Sequence, residues 1–106
     1  MKINIQSPHF TPGKQLLSFV MEKVNILSHF HPGILAGEVC LKLESRHILE
    51  NKICEIRLII RGNDLFAERQ SEAFEIAIAE AIDALKGQIR KLEIESYGEV
   101  RTLQKY

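Results

Sequence analysis

The chain has 106 residues, 45% of them apolar and 26% charged, and its fourteen basic and fourteen acidic side chains cancel formally. That length leaves no room for a second core, the composition is that of an ordinary globular domain, and two cysteines are too few for a disulfide framework. A neutral total does not exclude nucleic-acid binding, because a local basic patch counts for more than the sum.

Lys2 to Gln6 alternates Ile3 and Ile5 against Lys2, Asn4 and Gln6, which predicts a strand. Ser7-Pro8 ends it. Thr11 as cap and Pro12 at the first helical position open a helix. Leu16, Val20, Val24, Leu27 and Phe30 recur along it at helical spacing, and His31-Pro32-Gly33 stops it. Glu38 to Glu44 alternates with Val39, Leu41 and Leu43 inward. After a polar connection from Ser45 to Asn51, Cys54, Ile56, Leu58 and Ile60 form the inward side of a third strand. Gly62-Asn63-Asp64 suits a tight hairpin, and Leu65 to Gln70 is the fourth strand.

The last helix is expected from a Ser71 cap, with Glu72 and Glu75 in its first turn where the helix dipole favours acids. Phe74, Ile78, Ala81, Leu85, Ile89 and Leu92 make one apolar stripe, with Lys86, Arg90 and Lys91 in the last turns. Residues 1–95 are thus one domain and 96–106 a tail. The order β-α-β-β-β-α, with one apolar face per strand, predicts an α+β two-layer sandwich: a mostly antiparallel four-stranded sheet with two helices on one face.

The hairpin connection, centred near residues 48 and 49, sets Leu41 opposite Ile56 and Leu43 opposite Cys54. Cys54 then faces the core and Cys40 faces away beside Arg57, so the two do not pair. No apolar run approaches the roughly 20 residues that span a bilayer, and no signal peptide is apparent, so the cytoplasm is the expected compartment.

Chemistry is hard to find. His29 and His31, with His9 upstream, lack companions at usual metal-ligand spacing and are read as polar residues closing a helix. Cys40 and the serines lack an orienting base or an oxyanion site, the glutamates of the last helix read as a solvated face, and no glycine-rich phosphate loop exists. No catalytic residue, metal, cofactor or small-molecule substrate is expected. Lys14 and Lys23 on the first helix, with Lys86, Arg90 and Lys91 on the second, would share one exposed layer able to meet a phosphate backbone. The layer is diluted: residues 1–37 carry three bases and one acid, but residues 65–95 carry four and seven.

Several segments, in this order and spacing, resemble the ribosome hibernation promoting factors, a family also labelled sigma-54 modulation or ribosomal-subunit-interface proteins. They are M-K-I-N-I-Q-S at the start, L-x-x-F-V-x-x-K-V-x-x-L in the first helix, and E-V-C-L-K-L-E. R-G-N-D-L-F-A and A-I-D-A-L-x-x-Q-I-x-K-L follow. The resemblance spans about residues 1–93. It implies a sheet with two helices on one face, similar to double-stranded-RNA-binding domains. It also implies a stress or stationary-phase factor that lodges in the mRNA and tRNA region of the small ribosomal subunit through 16S rRNA backbone contacts. Translation is then repressed sterically, without catalysis and without a membrane. The chain resembles the short form, without the ribosome-dimerising domain of long relatives.

Lys23, Arg90 and Lys91, then Lys14 and Lys86, are the expected RNA contacts. Lys23 and Lys91 match positions where the family carries base. Ile26, Ala84 and Gly87 stand where lysine or arginine is common, Glu93 and Glu95 where lysines continue, and Ala73 where an aspartate is common. Ile26 and Gly87 therefore define a second expectation: a diverged relative whose helix layer meets a protein, including a second copy of itself. Binding of structured RNA outside the ribosome follows only from similarity of fold.

Overall fold

The computed structural model describes residues 1–46 and 48–104, with side chains described as far as Glu95. Strand β1 (Lys2–Gln6) leads to helix α1 (Lys14–Ile26), which tightens into a 3-10 turn at Leu27–His29. Strands β2 (Ile34–Leu43), β3 (Lys52–Ile60) and β4 (Leu65–Ser71) follow, then helix α2 (Phe74–Gln104). The sheet order is β1-β2-β3-β4; β1 runs parallel to β2, and the other two pairs are antiparallel. The expected α+β sandwich and its element order are what the structure has.

The core lies between the sheet and the helices and is wholly apolar among the described residues. Val39 and Leu41 from β2, Cys54, Ile56 and Leu58 from β3, and Leu65 and Ala67 from β4 meet Val20, Val24 and Leu27 of the first helical segment. On α2 the buried stripe is Phe74, Ile78, Ala81, Leu85 and Ile89. Gly37 lets β2 and α1 approach: a Cβ there would lie 3.1 Å from Val24 Cγ1 and 3.4 Å from Met1 Sδ. At the β3–β4 turn Gly62 has φ +87°, where a side chain would be strained. There Asn63 N–H donates to the Ile60 carbonyl at 3.0 Å.

Several sequence expectations need correcting. In the β2–β3 hairpin Leu41 faces Cys54, Val39 faces Ile56 and Leu43 faces Lys52, two residues from the expected register. The strand includes Lys52 and Ile53, and Glu44 N–H closes the connection on the Asn51 carbonyl at 2.9 Å. A two-residue slip keeps every side chain on its face, so alternation could not distinguish the registers. Cys54 is buried and Cys40 lies on the other face as expected, but Cys40 faces Glu55, while Arg57 faces Glu38. Leu43 and Phe30 are exposed rather than core.

Both helices also start later than their cap residues suggested. The N-cap of α1 is Gly13, without a side-chain cap bond, so Thr11-Pro12 precedes the helix. Ser71 ends β4, paired with Lys52, and the first turn of α2 closes from Ala77 N–H to the Ala73 carbonyl at 3.1 Å. The strand ladder claims the Ser71 backbone and leaves the cap position to Ala73, which has no side-chain acceptor. At its other end α2 passes Leu92 and continues as helical backbone to Gln104. Residue 47 of the hairpin connection, residues 105 and 106 and the side chains from 96 onward lie outside the described residues. The expected tail is therefore known only as that backbone.

Candidate nucleic-acid interface

The two helices lie side by side and run in the same direction, because each returns from a strand pointing the same way. Phe10, just before α1, stacks on Phe74 at the start of α2 with ring centroids 5.0 Å apart. At the far end Lys86 Nζ of α2 sits 5.2 Å from the centroid of Phe30, just after α1. The end of α1 therefore lies against the middle of α2, which runs on to Gln104.

This parallel arrangement sorts the expected contacts. Lys23 lies in the last turn of α1, half-buried, with its ammonium 5.5 Å from the Phe19 ring centroid. Lys86 is half-buried over Phe30, and Arg90, one turn on, is exposed. These three gather at one end of the layer. Lys14 begins α1, about 18 Å of helix from Ile26, in an open depression shared with Ser18, Phe19 and Glu22. Lys91 turns to the other flank of α2, beside Asn63 and Leu65 near the β3–β4 turn and with Glu95 as a neighbour. Acids are interleaved with these cations: Glu22 precedes Lys23, Asp83 lies one turn before Lys86, Glu93 and Glu95 follow Arg90, and Glu75 and Glu80 lie nearer the start of α2.

At this end Lys23 and Lys86 sit over rings rather than against carboxylates. Among the described residues the ion pairs are Lys42–Glu55 at 3.0 Å and Arg46–Glu44 at 3.2 Å, both away from the helices. An aromatic face under an ammonium orients it and leaves its charge uncancelled, which suits a phosphate partner. The ring partners Phe19 and Phe30 were not expected from the sequence. Their signal was i and i+4 spacing for Phe19 with Lys23, whereas the Phe30–Lys86 contact is purely tertiary.

Ile26 is half-buried beside this basic end. Gly87 is exposed, and a Cβ there would meet no atom within 4 Å. The close backbone approach that a helical glycine permits is not used within the monomer. Exposed large apolar side chains include Met21 on α1, Phe30 just after it and Ile94 on α2, and the most exposed are Ile48 and Leu49 in the β2–β3 connection. His31 accepts a hydrogen bond at Nδ1 from Gly33 N–H at 2.9 Å, and His9 accepts at Nδ1 from Leu43 N–H at 3.2 Å. Each holds a loop in place.

The sheet face away from the helices carries Asn4, Gln6, Glu38, Cys40, Glu55, Arg57 and Phe66 around a depression of about 420 Å³. Burial raises the Cys40 thiol above its ordinary value, Lys42 pulling it down and Glu55 adding to the rise. The hydrogen bond from Lys42 to Glu55 raises the lysine in turn. No helix of the described residues is long and apolar enough to cross a membrane.

Comparison with known proteins agrees with this architecture. No curated protein sequence matches. Among solved structures, a ribosomal subunit interface protein from Coxiella burnetii superposes with a TM-score of 0.79 at 15% identity, over 89% of this chain and 99% of that one. The N-terminal domain of Thermus thermophilus Protein Y gives 0.75 at 22% identity, over 87% and 99%. At those identities the likeness establishes the fold. A family model described as sigma 54 modulation protein / S30EA ribosomal protein matches residues 3–94, nearly the whole domain, and the chain belongs to that family.

Proposed function

We propose that this protein is a non-enzymatic ribosome-binding stress factor. It occupies the mRNA and tRNA region of the small ribosomal subunit and represses translation sterically. Family membership and the subunit-interface name of a structural neighbour support a ribosomal partner. The observation that carries the reading is the basic end of the helix layer. There Lys23 and Lys86 are oriented by ring faces, Arg90 is exposed, and none of the three is ion-paired among the described residues. These three are the primary contacts to the 16S rRNA backbone; Lys14 and Lys91, on separate flanks, are secondary ones.

The test is co-sedimentation with vacant ribosomes across a salt series. Three phosphate contacts at about 0.7–0.9 each give a log–log slope of about −2 to −3, or binding some 20- to 40-fold weaker at 200 mM than at 50 mM salt. Engagement of all five cations would steepen the slope to about −4. A Lys23→Glu, Arg90→Glu double variant should lose binding while keeping its fold. Salt-insensitive binding, or a variant that binds as well as wild type, would refute the assignment. Absence of binding at low salt would move the helix layer, with Ile26 and Gly87, to a protein partner or a second copy of the chain.

A further inference from the structure

The open face of the sheet bears two adjacent cross-strand rows. Asn4, Glu38, Arg57 and Phe66 stand side by side on β1, β2, β3 and β4, and Gln6, Cys40, Glu55 and Glu68 form the next row. Cys40 is the shortest side chain of the eight, and the depression of about 420 Å³ opens where it stands among longer neighbours. That volume is in the range of small-ligand sites. On one side the Arg57 guanidinium lies 5.1 Å from the centroid of the Phe66 ring. On the other stand the side-chain amides of Asn4 and Gln6.

We propose that this depression binds an unpaired nucleobase of single-stranded RNA. The Arg57 guanidinium covers one face of the Phe66 ring, and its outer plane and the exposed part of the ring are surfaces of the kinds on which splayed-out bases stack. Phe66 keeps 41% of its surface exposed although it sits in a paired strand. The two amides supply donors and acceptors, and Glu38 supplies a carboxylate for amino or imino groups on a base edge. Among the described residues Asn4, Gln6 and Glu38 have no side-chain partner. Glu55 is engaged by Lys42.

Arg57 faces Glu38 and Glu55 in the lining, and Lys42 and Glu68 beside it add one charge of each sign, so the site is acidic by one and does not attract a phosphate backbone as the helix layer does. Burial keeps the Cys40 thiol protonated and neutral, giving an uncharged floor. A planar, neutral, hydrogen-bonding ring is the ligand that satisfies all of these together. The edge that carries Phe66 is itself held, since Gln88 Nε2 of α2 donates to the Phe66 carbonyl at 2.8 Å. The site lies across the sheet from the helix layer and does not depend on the ribosome-binding reading.

The experiment is an NMR titration of the full chain with single-stranded hexaribonucleotides of adenosine, cytidine, uridine and alternating guanosine–uridine, beside an RNA duplex. The expected result is shifts at Asn4, Cys40, Arg57 and Phe66 with at least one single strand and none there with the duplex. Phe66→Ala should weaken that binding by roughly 5- to 150-fold. Cys40→Leu, which fills the depression from its floor, should abolish it with the rest of the spectrum intact. Lys23→Glu with Arg90→Glu should leave the sheet-face shifts unchanged even where ribosome binding is lost. Shifts confined to the helices, equal response to the duplex, or no response to any of the four strands would overturn the proposal.

Discussion

Gly37→Ala and Gly87→Ala add the same methyl group and should move stability in opposite directions. At Gly87 the new Cβ meets nothing within 4 Å on an exposed helical position. The gain is the helix propensity of alanine over glycine, about 1 kcal/mol, or a Tm higher by about 4–8 °C. At Gly37 the Cβ would stand 3.1 Å from Val24 Cγ1, 3.4 Å from Met1 Sδ and 3.8 Å from Leu58 Cδ2. The methionine can yield. Val24 is fully buried, and a β-branched side chain in a helix has one strongly preferred rotamer, so α1 itself must shift. Overpacking costs about 1–3 kcal/mol, offset by about 0.5–1 kcal/mol from the lost backbone freedom of glycine, for a net loss of up to about 2.5 kcal/mol. Urea and thermal melts of both variants beside wild type would measure the contrast. A Gly37→Ala protein as stabilised as Gly87→Ala would refute the close β2–α1 packing. A Gly87→Ala protein that is destabilised, or that loses a concentration-dependent component of its Tm, would show that this helix surface is covered in solution.

Three other outcomes follow from the same geometry. Ala73→Asp should raise stability by about 1 kcal/mol, because residue 73 is the cap of α2 and aspartate supplies the missing acceptor; an unchanged melt would mean that the helix is capped elsewhere. Burial pushes the Cys54 thiol from its ordinary value of 9.0 up to about 12. The folded state thus keeps a proton that the unfolded chain gives up, and its stabilising effect is intact below pH 9 and lost between pH 9 and 12. The loss should be about 2 kcal/mol by pH 10.5, and denaturant melts of Cys54→Ala should lack that component of the alkaline decline. Gly87→Lys adds a base at an exposed helical position one turn from Arg90 and should steepen the salt slope of ribosome binding by about 0.7–0.9. An unchanged slope in co-sedimentation would place residue 87 outside the RNA contact.

Local periodicity was enough for the order of the elements and for the core face of each, although Leu43 and Phe30 at element ends fall outside the core. Ile3 and Ile5, Val39 and Leu41, and the stripe from Phe74 to Ile89 have one way to bury their apolar sides, and the two-layer sandwich follows from it. Where an element begins was less legible. Ser71 and Thr11 are good caps in isolation, but the β3–β4 ladder takes the first and α1 begins only after Gly13. The hairpin register was beyond local pattern altogether, since a slip of two preserves alternation. The same limit applies to the site. The five cations were visible as residue types, but only the parallel run of the two helices brings Lys23, Lys86 and Arg90 to one end and turns Lys14 and Lys91 aside. Phe30 under Lys86 and Arg57 over Phe66 are contacts between different elements, and no spacing along one element encodes them. Periodicity records which side of an element is apolar; only the packing of one element on another decides which polar groups meet.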